Sequence, residues 1–546
     1  MTEQPSPKVH VRLPILFAAV LAAGMFIGQQ LPRYDHHARF LPAGYQARQT
    51  ATALDEILRY IEAKYVDTVD LQEIKQSAIA HLLEQLDPHS VYMSPEELQQ
   101  EEEVMNGNFE GIGIEFLVVE DTIRVITPLS GGPSEAAGIL AGDKLVTIND
   151  TLVAGVKITT AEIFRKLRGS KGSNVKIGIR RARERNLRYF NIARDVIPVH
   201  SVDVAYMLDD KTGYVKINRF SAPTYQEFME AIGPLVEEKG MTNLVLDLRG
   251  NPGGYLNEAT ELLSQFFAEG KLLVYTEGRA DERHDYKSNG RARFNIQNIA
   301  VLIDEGSASA SEIVAGAVQD HDRGWVIGRR SFGKGLVQVQ YPLSDGGALR
   351  LTISRYYTPS GRSIQREYKN NQAYDEEAEI RLKNGELADA SRFRPEDTTK
   401  YYTGMGRVVF GGGGIAPDIF IPLDTSFVTD YFVAARQHLP PFASRWLETQ
   451  QRGALPATLD DFVRKFNIPD QVFEDFLAYV EKQDGKTDPL QLARSRAELR
   501  HQLKARIAKL LFQDIGMYRV LHDGDTAVKK ALHVLRSGQP VAKNSR

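Results

Sequence analysis

Ile299-Ala-Val-Leu-Ile-Asp-Glu-Gly-Ser-Ala-Ser-Ala-Ser-Glu-Ile313 is the stretch whose reading decides the fold of this 546-residue chain. It opens as an apolar run suited to a buried strand, passes through a turn of small residues, and continues as a helix. Similar runs recur on either side of it. Thr212–Ile217, Asn243–Asp247, Leu272–Tyr275, Ala300–Ile303, Gly324–Ile327 and Ala348–Ser354 read as strands. Thr224–Lys239, Asn257–Phe267 and Ser309–Asp320 read as the helices between them, which predicts a sheet layered with helices.

The turn in this stretch can carry chemistry. A hydroxyl where a strand passes into a helix is exposed, and the first N–H groups of the helix can stabilise developing negative charge. Ser309 stands there as a candidate nucleophile, although Ser309-x-x-Glu312 fits a capping box equally well. His321 is twelve residues further along the helix, about 18 Å away at 1.5 Å per residue, and so cannot serve as its base. Nothing in the sequence recommends the distant His200 or His284 either.

Lys334, in Arg330-Ser-Phe-Gly-Lys-Gly-Leu-Val-Gln338, is the better candidate. A lysine acting as base must be neutral. Bringing its ordinary value of ~10.4 down by about three units costs roughly 4 kcal/mol, which burial and a hydrogen-bond acceptor can supply. Gln338 lies on the same face if the strand alternates regularly, and could orient the amine. A surface lysine in a glycine turn fits these residues as well. Gly328-Arg-Arg-Ser-Phe-Gly-Lys334 also matches a phosphate-binding loop, but Gly335 occupies the hydroxyl position and β-type residues replace the required helix. Val245-Leu-Asp-Leu-Arg-Gly-Asn-Pro-Gly-Gly254 ends a strand in a Gly-rich turn. Its N–H groups could form half of an oxyanion hole, or it could be an ordinary strand-to-helix connection.

Upstream, Leu54, Ile57, Leu58 and Ile61, and then Ile79, Leu82, Leu83 and Leu86, repeat with helical spacing. From Gly107 the texture changes to short β-type runs with Gly-rich turns: Gly111–Phe116, Thr122–Ile126, Lys144–Ile148, Val175–Arg180 and Leu187–Ile192. Two helical stretches, Ser134–Ala137 and Thr160–Leu167, interrupt them, giving a small barrel-like domain. Residues 369–400 read as an exposed polar insertion and Gly411–Gly414 as a flexible turn. Amphipathic helix returns from Tyr431 to Leu535. The length predicts three to four domains, about one per 150 residues.

Composition removes several functional classes. The net charge of −4 gives no electrostatic reason to bind nucleic acid. The absence of cysteine excludes thiol nucleophiles, disulfides and thiolate metal sites. At the N-terminus, Lys8, His10 and Arg12 precede the apolar run Leu13–Ile27. That pattern predicts a signal peptide or a single membrane anchor within residues 1–32, with the remaining chain in the cell envelope, periplasmic or otherwise extracytoplasmic.

Together these segments resemble the C-terminal processing peptidases, tail-specific serine proteases of the Ser/Lys type, over about residues 50–425. The resemblance rests on Leu86-Asp-Pro-His-Ser90, Gly111-Ile-Gly-Ile114, Asp247-Leu-Arg-Gly-Asn-Pro-Gly-Gly254, Gly306-Ser-Ala-Ser-Ala-Ser-Glu312, Phe332-Gly-Lys-Gly335 with Gln338, and Tyr356-Tyr-Thr-Pro-Ser-Gly-Arg-Ser-Ile-Gln365. It implies a multidomain α+β chain. A helical region at 46–106 would precede a PDZ domain at 107–195, inserted ahead of an α/β, ClpP/crotonase-like peptidase core at 196–425. A helical extension at 426–546 would follow.

The resemblance makes Ser309 the nucleophile, Lys334 the general base and Gln338 the residue that holds the lysine. Backbone N–H groups of Ala310 and of Gly253 or Gly254 would form the oxyanion hole. Gly111, Ile112, Gly113 and Ile114 would hold the end of a peptide added as a strand, and Arg168 would couple the PDZ domain to the core. The implied partners are proteins with free, apolar C-termini, with the membrane reached through the N-terminal segment. No metal, nucleotide or other cofactor is called for, and homo-oligomerisation is left open. Asp304 departs from the asparagine often found at that place in the family.

Overall fold

The structure is a computed structural model that describes residues 52–538, apart from 130, 182–183, 369–373, 375, 452 and 486–487. The expected signal or anchor segment at 1–32 lies outside the described residues, as do positions 46–51 of the helical region. Among the described residues no helix is long and apolar enough to cross a membrane. The described residues up to Ser77 form one compact unit and those from Ala78 onward a second. The first contains the helix Ala53–Lys64, whose Thr52 and Asp55 cap each other reciprocally.

In the second unit, strand Val91–Met93 leads to α1 (Pro95–Asn106), with Ser94 as N-cap and Gly107 as a left-handed C-cap. The chain then leaves and re-enters the core through two antiparallel strands, Asn108–Gly111 and Asp195–Pro198. Between them a five-stranded antiparallel path, with a short sixth strand on its third member, encloses an aliphatic core that includes Ile123, Leu145, Ile163 and Ile177. Among the described residues its first strand, β1 (Ile114–Val119), pairs on one side only, with Thr122–Pro128. Helix α2 (Thr160–Leu167) lies beside β1, and the Phe116 and Phe164 rings meet at 5.5 Å. Val91–Met93 pairs with a strand near residue 350, so core sheet precedes this small domain as well as following it.

The central sheet is built from β2 (Val202–Met207), β3 (Thr212–Ile217), β4 (Asn243–Asp247), β5 (Asn298–Ile303), β6 (Trp325–Gly328) and β9 (Ile419–Phe420). All neighbouring pairs are parallel except β2 with β3. α3 (Thr224–Glu237), α4 (Leu256–Ser264) and α5 (Ala310–Asp320) join these strands. Strand alternation explains the unbroken apolar run of β5. Ile299, Val301 and Ile303 point into the cluster shared with α3, α4 and α5, whereas Ala300 and Leu302 point to the opposite face. A second sheet carries β7 (Leu336–Pro342) on β8 (Ala348–Tyr357).

The C-terminal region supplies the cover for the opposite face. α6 (Leu439–Thr449) and α7 (Pro489–Leu521) lie in a helical domain with its own Phe-rich core. α8 (Thr526–Ser537) lays Ala527, Val528, Ala531, Val534 and Leu535 against Val245, Ala300, Leu302 and Ile327. Ion pairs join the helical domain to the small β domain: Glu448 with Arg124 at 2.7 Å, Arg445 with Glu120 at 2.9 Å and Lys509 with Glu115 of β1 at 3.1 Å.

Two expectations need correction. The described part of 369–400 is not simply exposed. Glu386 and Glu377 neutralise the buried Arg330, and buried Arg381 donates to the carbonyls of Arg330 and Ser331. Guanidinium groups this far from water require such partners, and they draw the segment onto the core. Nor is Gly411–Gly414 a loose turn. It packs on Ser331 so closely that a Cβ at Gly414 would lie 2.7 Å from that residue's carbonyl oxygen.

Leu302 is fully buried on the α8 side of the sheet, so Leu302→Ala is expected to cost about 2–5 kcal/mol in urea unfolding. Val433→Ala, at a residue 52% exposed, should change stability by less than ~0.5 kcal/mol.

Candidate active site

Ser309 is the N-cap of α5, with φ 54° and ψ −113°, a left-handed backbone for a residue with a Cβ. Such strain persists only where surrounding contacts over-determine it. Here the principal contact is Glu312, which is fully buried. Its carboxylate accepts the Ser309 N–H at 2.8 Å, as a capping box requires. It also accepts from an element outside the helix: Gly333 N–H at 2.7 Å, Lys334 N–H at 2.8 Å and the Ser331 hydroxyl at 2.5 Å. Burial pushes this carboxyl up to about 7, against the opposing pull of the donors from Ser331, Lys334, Gly333 and Ser309. A helix cap alone would not recruit the segment around Lys334. From the other side, the buried Tyr356 hydroxyl donates to the carbonyl of Ser309 at 3.1 Å and to that of Lys334. Ser309 and Lys334 are thus tied together at both their N–H and their C=O groups.

The Lys334 amine is lowered from the ordinary lysine value, first by burial and then by the positive charge of Arg350. Glu101, Glu312 and Asp87 oppose the shift. Arg350 is held 3.1 Å from Glu101 of α1. His89 stands close enough to sense the lysine. Burial, followed by Lys334, lowers its imidazole to about 4, and it shares a 2.7 Å hydrogen bond with the Tyr374 hydroxyl. The Leu86–Ser90 motif therefore forms part of the wall on the lysine side. Asp87 accepts the N–H groups of His89 and Ser90 and both hydroxyls of Ser90 and Thr352.

Gln338 donates its amide to Thr352 at 3.3 Å. β7 starts only at Leu336, and the ladder shifts register between Val337 and Gln338, so the alternation linking Gln338 with Lys334 does not run through a regular strand. His321 Nε2 donates to the Leu272 carbonyl, His200 pairs with Glu227, and His284 meets Tyr286 edge-on.

The Gly250–Gly254 turn passes directly under the serine. Gly253 has φ +96°, and a Cβ there would lie 2.7 Å from Ser309 Cβ, 2.7 Å from the Ala308 carbonyl oxygen and 2.8 Å from the Ala310 nitrogen. Only glycine permits that approach. The Gly253 N–H donates to Asn251 Oδ1 at 2.8 Å. The bridge between Phe220 and Gly254 uses the Gly253 carbonyl and the Tyr255 N–H, and leaves the Gly254 N–H out. Ala310 is the first residue of α5, where an N–H has no partner within the helix. Asp304, the departure noted above, accepts from Gly250 N–H at 2.7 Å and Gly306 N–H at 3.0 Å, so it ties the glycine turn to the serine turn.

In the small β domain, the carbonyls of Ile112 and Gly113 accept from Ser134 and Leu129, and Gly113 has φ +69°. Ile112 is buried in the domain core, and Ile114 packs against that core half-buried. Gly111 closes the entry strand against Asp195. Arg168 caps α2, pairs with Glu103 of α1 at 2.8 Å and lies over the Phe109 and Phe164 rings. It joins the small domain to the helix leading into it.

Sequence reasoning placed Ser309, Lys334 and the glycine turn but gave Glu312 only its capping role, and Tyr356 and His89 none. The cue was the motif residues themselves, polar or aromatic groups within otherwise buried stretches.

Comparison with known proteins agrees with this architecture. Residues 211–372 match peptidase family S41, residues 124–181 match a PDZ domain, and residues 431–513 match a family of unknown function. The chain is 38% identical to a carboxy-terminal-processing protease of Bartonella bacilliformis over 57% of this chain and 71% of that protein. It is 34% identical to the carboxy-terminal processing protease CtpB of Bacillus subtilis, over 63% and 72% of the two chains. Among solved structures, a photosystem II D1 C-terminal processing protease is 30% identical over 57% of this chain and 83% of its own, with a TM-score of 0.32. By these relatives, with its S41 and PDZ segments, the chain belongs to the carboxy-terminal-processing proteases, serine peptidases of family S41.

Proposed function

We propose that this peptidase cleaves by acyl transfer, with Ser309 as nucleophile and Lys334 as its base, on proteins whose C-termini are captured by the PDZ domain. The observation that carries this reading is the double tie between the two residues, through the Glu312 carboxylate and the Tyr356 hydroxyl. Neutral Lys334 takes the Ser309 proton as the hydroxyl oxygen attacks the scissile carbonyl. Ala310 N–H, with Gly254 N–H from the turn that Gly253 brings close, receives the oxyanion. The lysine then returns the proton to the leaving amine, and water releases the acyl group. Gln338, whose amide nitrogen donates to Thr352, would hold the lysine amine through its side-chain oxygen.

The unpaired edge of β1 supports peptide capture by strand addition, with the terminal carboxylate at the Gly111–Ile114 loop. The basic and apolar N-terminal segment supports a location in the cell envelope, reached through a signal peptide or a single membrane anchor.

With a substrate protein ending in apolar residues, Ser309→Ala should reduce cleavage to background, and Lys334→Ala should reduce it by about 10²–10⁴-fold. Equal cleavage by all three proteins would refute the dyad. The lysine must be neutral and its amine is shifted downward, so kcat/KM should rise with pH with a midpoint below the ordinary lysine value of 10.5. Gly253→Ala should leave the circular dichroism spectrum intact and lower kcat by at least about 100-fold. Amidating the substrate C-terminus should raise KM about tenfold, a loss of roughly 1.4 kcal/mol.

A further inference from the structure

The helical extension reaches the residue that leads into the oxyanion turn through the carboxylate of Asp525. Asp247, at the end of β4, is buried and accepts the Arg249 backbone N–H at 2.9 Å and its guanidinium from Nε at 3.0 Å and from Nη2 at 2.5 Å. Tyr214 donates to the same carboxylate at 2.8 Å, and Lys216 reaches it at 3.4 Å while also donating to the Arg249 carbonyl. Two cations thus share one buried carboxylate. The second anion comes from the C-terminal region. Asp525 Oδ2 lies 2.8 Å from Arg249 Nη2. Arg249 immediately precedes Gly250–Gly254, the turn that presses Gly253 against Ser309 and Ala310.

Asp525 is held firmly. Its Oδ1 caps α8, accepting Ala527 N–H at 2.8 Å and Val528 N–H at 3.0 Å. The residues just before it are fixed by His522, which is hydrogen-bonded to the Tyr206 hydroxyl at 2.6 Å and set edge-on to Tyr214 at 4.4 Å. α8 itself is anchored by its apolar face on the sheet.

We propose that Asp525 is a positioning residue of the peptidase site. Through Arg249 it sets the glycine turn and hence the oxyanion donors, so the C-terminal extension is part of the catalytic unit. This rests on the Ser309 acyl-transfer reading given above.

Asp525→Asn separates the two tasks of the residue. Asparagine caps a helix as well as aspartate does, but it does not neutralise a guanidinium. In the full chain, Asp525→Asn and Asp525→Ser, a second capping residue without a carboxylate, should lower kcat by about 10–100-fold with KM within twofold of wild type. Affinity for a peptidyl boronate, which forms a tetrahedral adduct, should fall in parallel with kcat. Arg536→Gln breaks a different α8–core ion pair, with Asp209, and should change neither value. Wild-type kcat and boronate affinity in Asp525→Asn would overturn the inference. A kcat loss matched by an equal loss of folded protein, with unchanged boronate affinity per folded molecule, would also overturn it. A wild-type chain without Ser309-dependent activity would overturn the dyad, and this inference with it.

Discussion

The site depends on one buried carboxylate. Glu312 is fully buried, and an uncompensated charge in such a position costs several kcal/mol. Four donors compensate it, three backbone N–H groups and one hydroxyl, and they come from two elements separated by about twenty residues. Hydrogen bonds to a charged group contribute roughly 1.5–3 kcal/mol each, so leaving any of them unmade is expensive. The strained conformation of Ser309 and the position of the Lys334 loop follow from satisfying this group. Its carboxyl remains raised to about 7, which indicates that burial still outweighs the donors.

Around this carboxylate the fold supplies close approach and dryness. Gly253 allows the turn to touch the serine, and Asp304 binds the two turns together. The lysine's preference for charge is weakened by burial and by Arg350 of β8, which is held by Glu101 of α1. That segment precedes the PDZ domain in sequence and sits beside the lysine in space. The domain is therefore inserted into a core already begun, and its entry and exit strands pair with each other.

Much of this was legible in the sequence. Thr212–Ile217, Asn243–Asp247, Lys144–Ile148 and the helix Thr160–Leu167 have the bounds that periodicity predicts. Continuous apolar runs of strand length between Gly-rich turns leave few alternatives. Ser309 stood out only through the combined motifs, because a capping box fits its local sequence equally well, and the Gly253–Gly254 turn could be read as an oxyanion donor or as an ordinary strand-to-helix connection. Local pattern could not show what long-range pairing decides. Glu312 satisfied a capping box, which concealed its bonds to the Lys334 loop. The register shift before Gln338 comes from pairing with β8 and has no signature in β7 itself. The polar composition of 369–400 suggested solvent, because nothing local indicates that Arg330 will be buried beneath it. Nothing local marks Asp525, because its partner Arg249 is 276 positions away.

The central claim is that a neutral Lys334 activates Ser309. It is tested most directly by trapping the enzyme with a fluorophosphonate and mapping the adduct by mass spectrometry across a pH series. The account predicts a single adduct on Ser309, formed faster as pH rises and lost when Lys334 is replaced by alanine. An adduct on another residue, or labelling of Ser309 at a rate indifferent to pH and to Lys334, would contradict it.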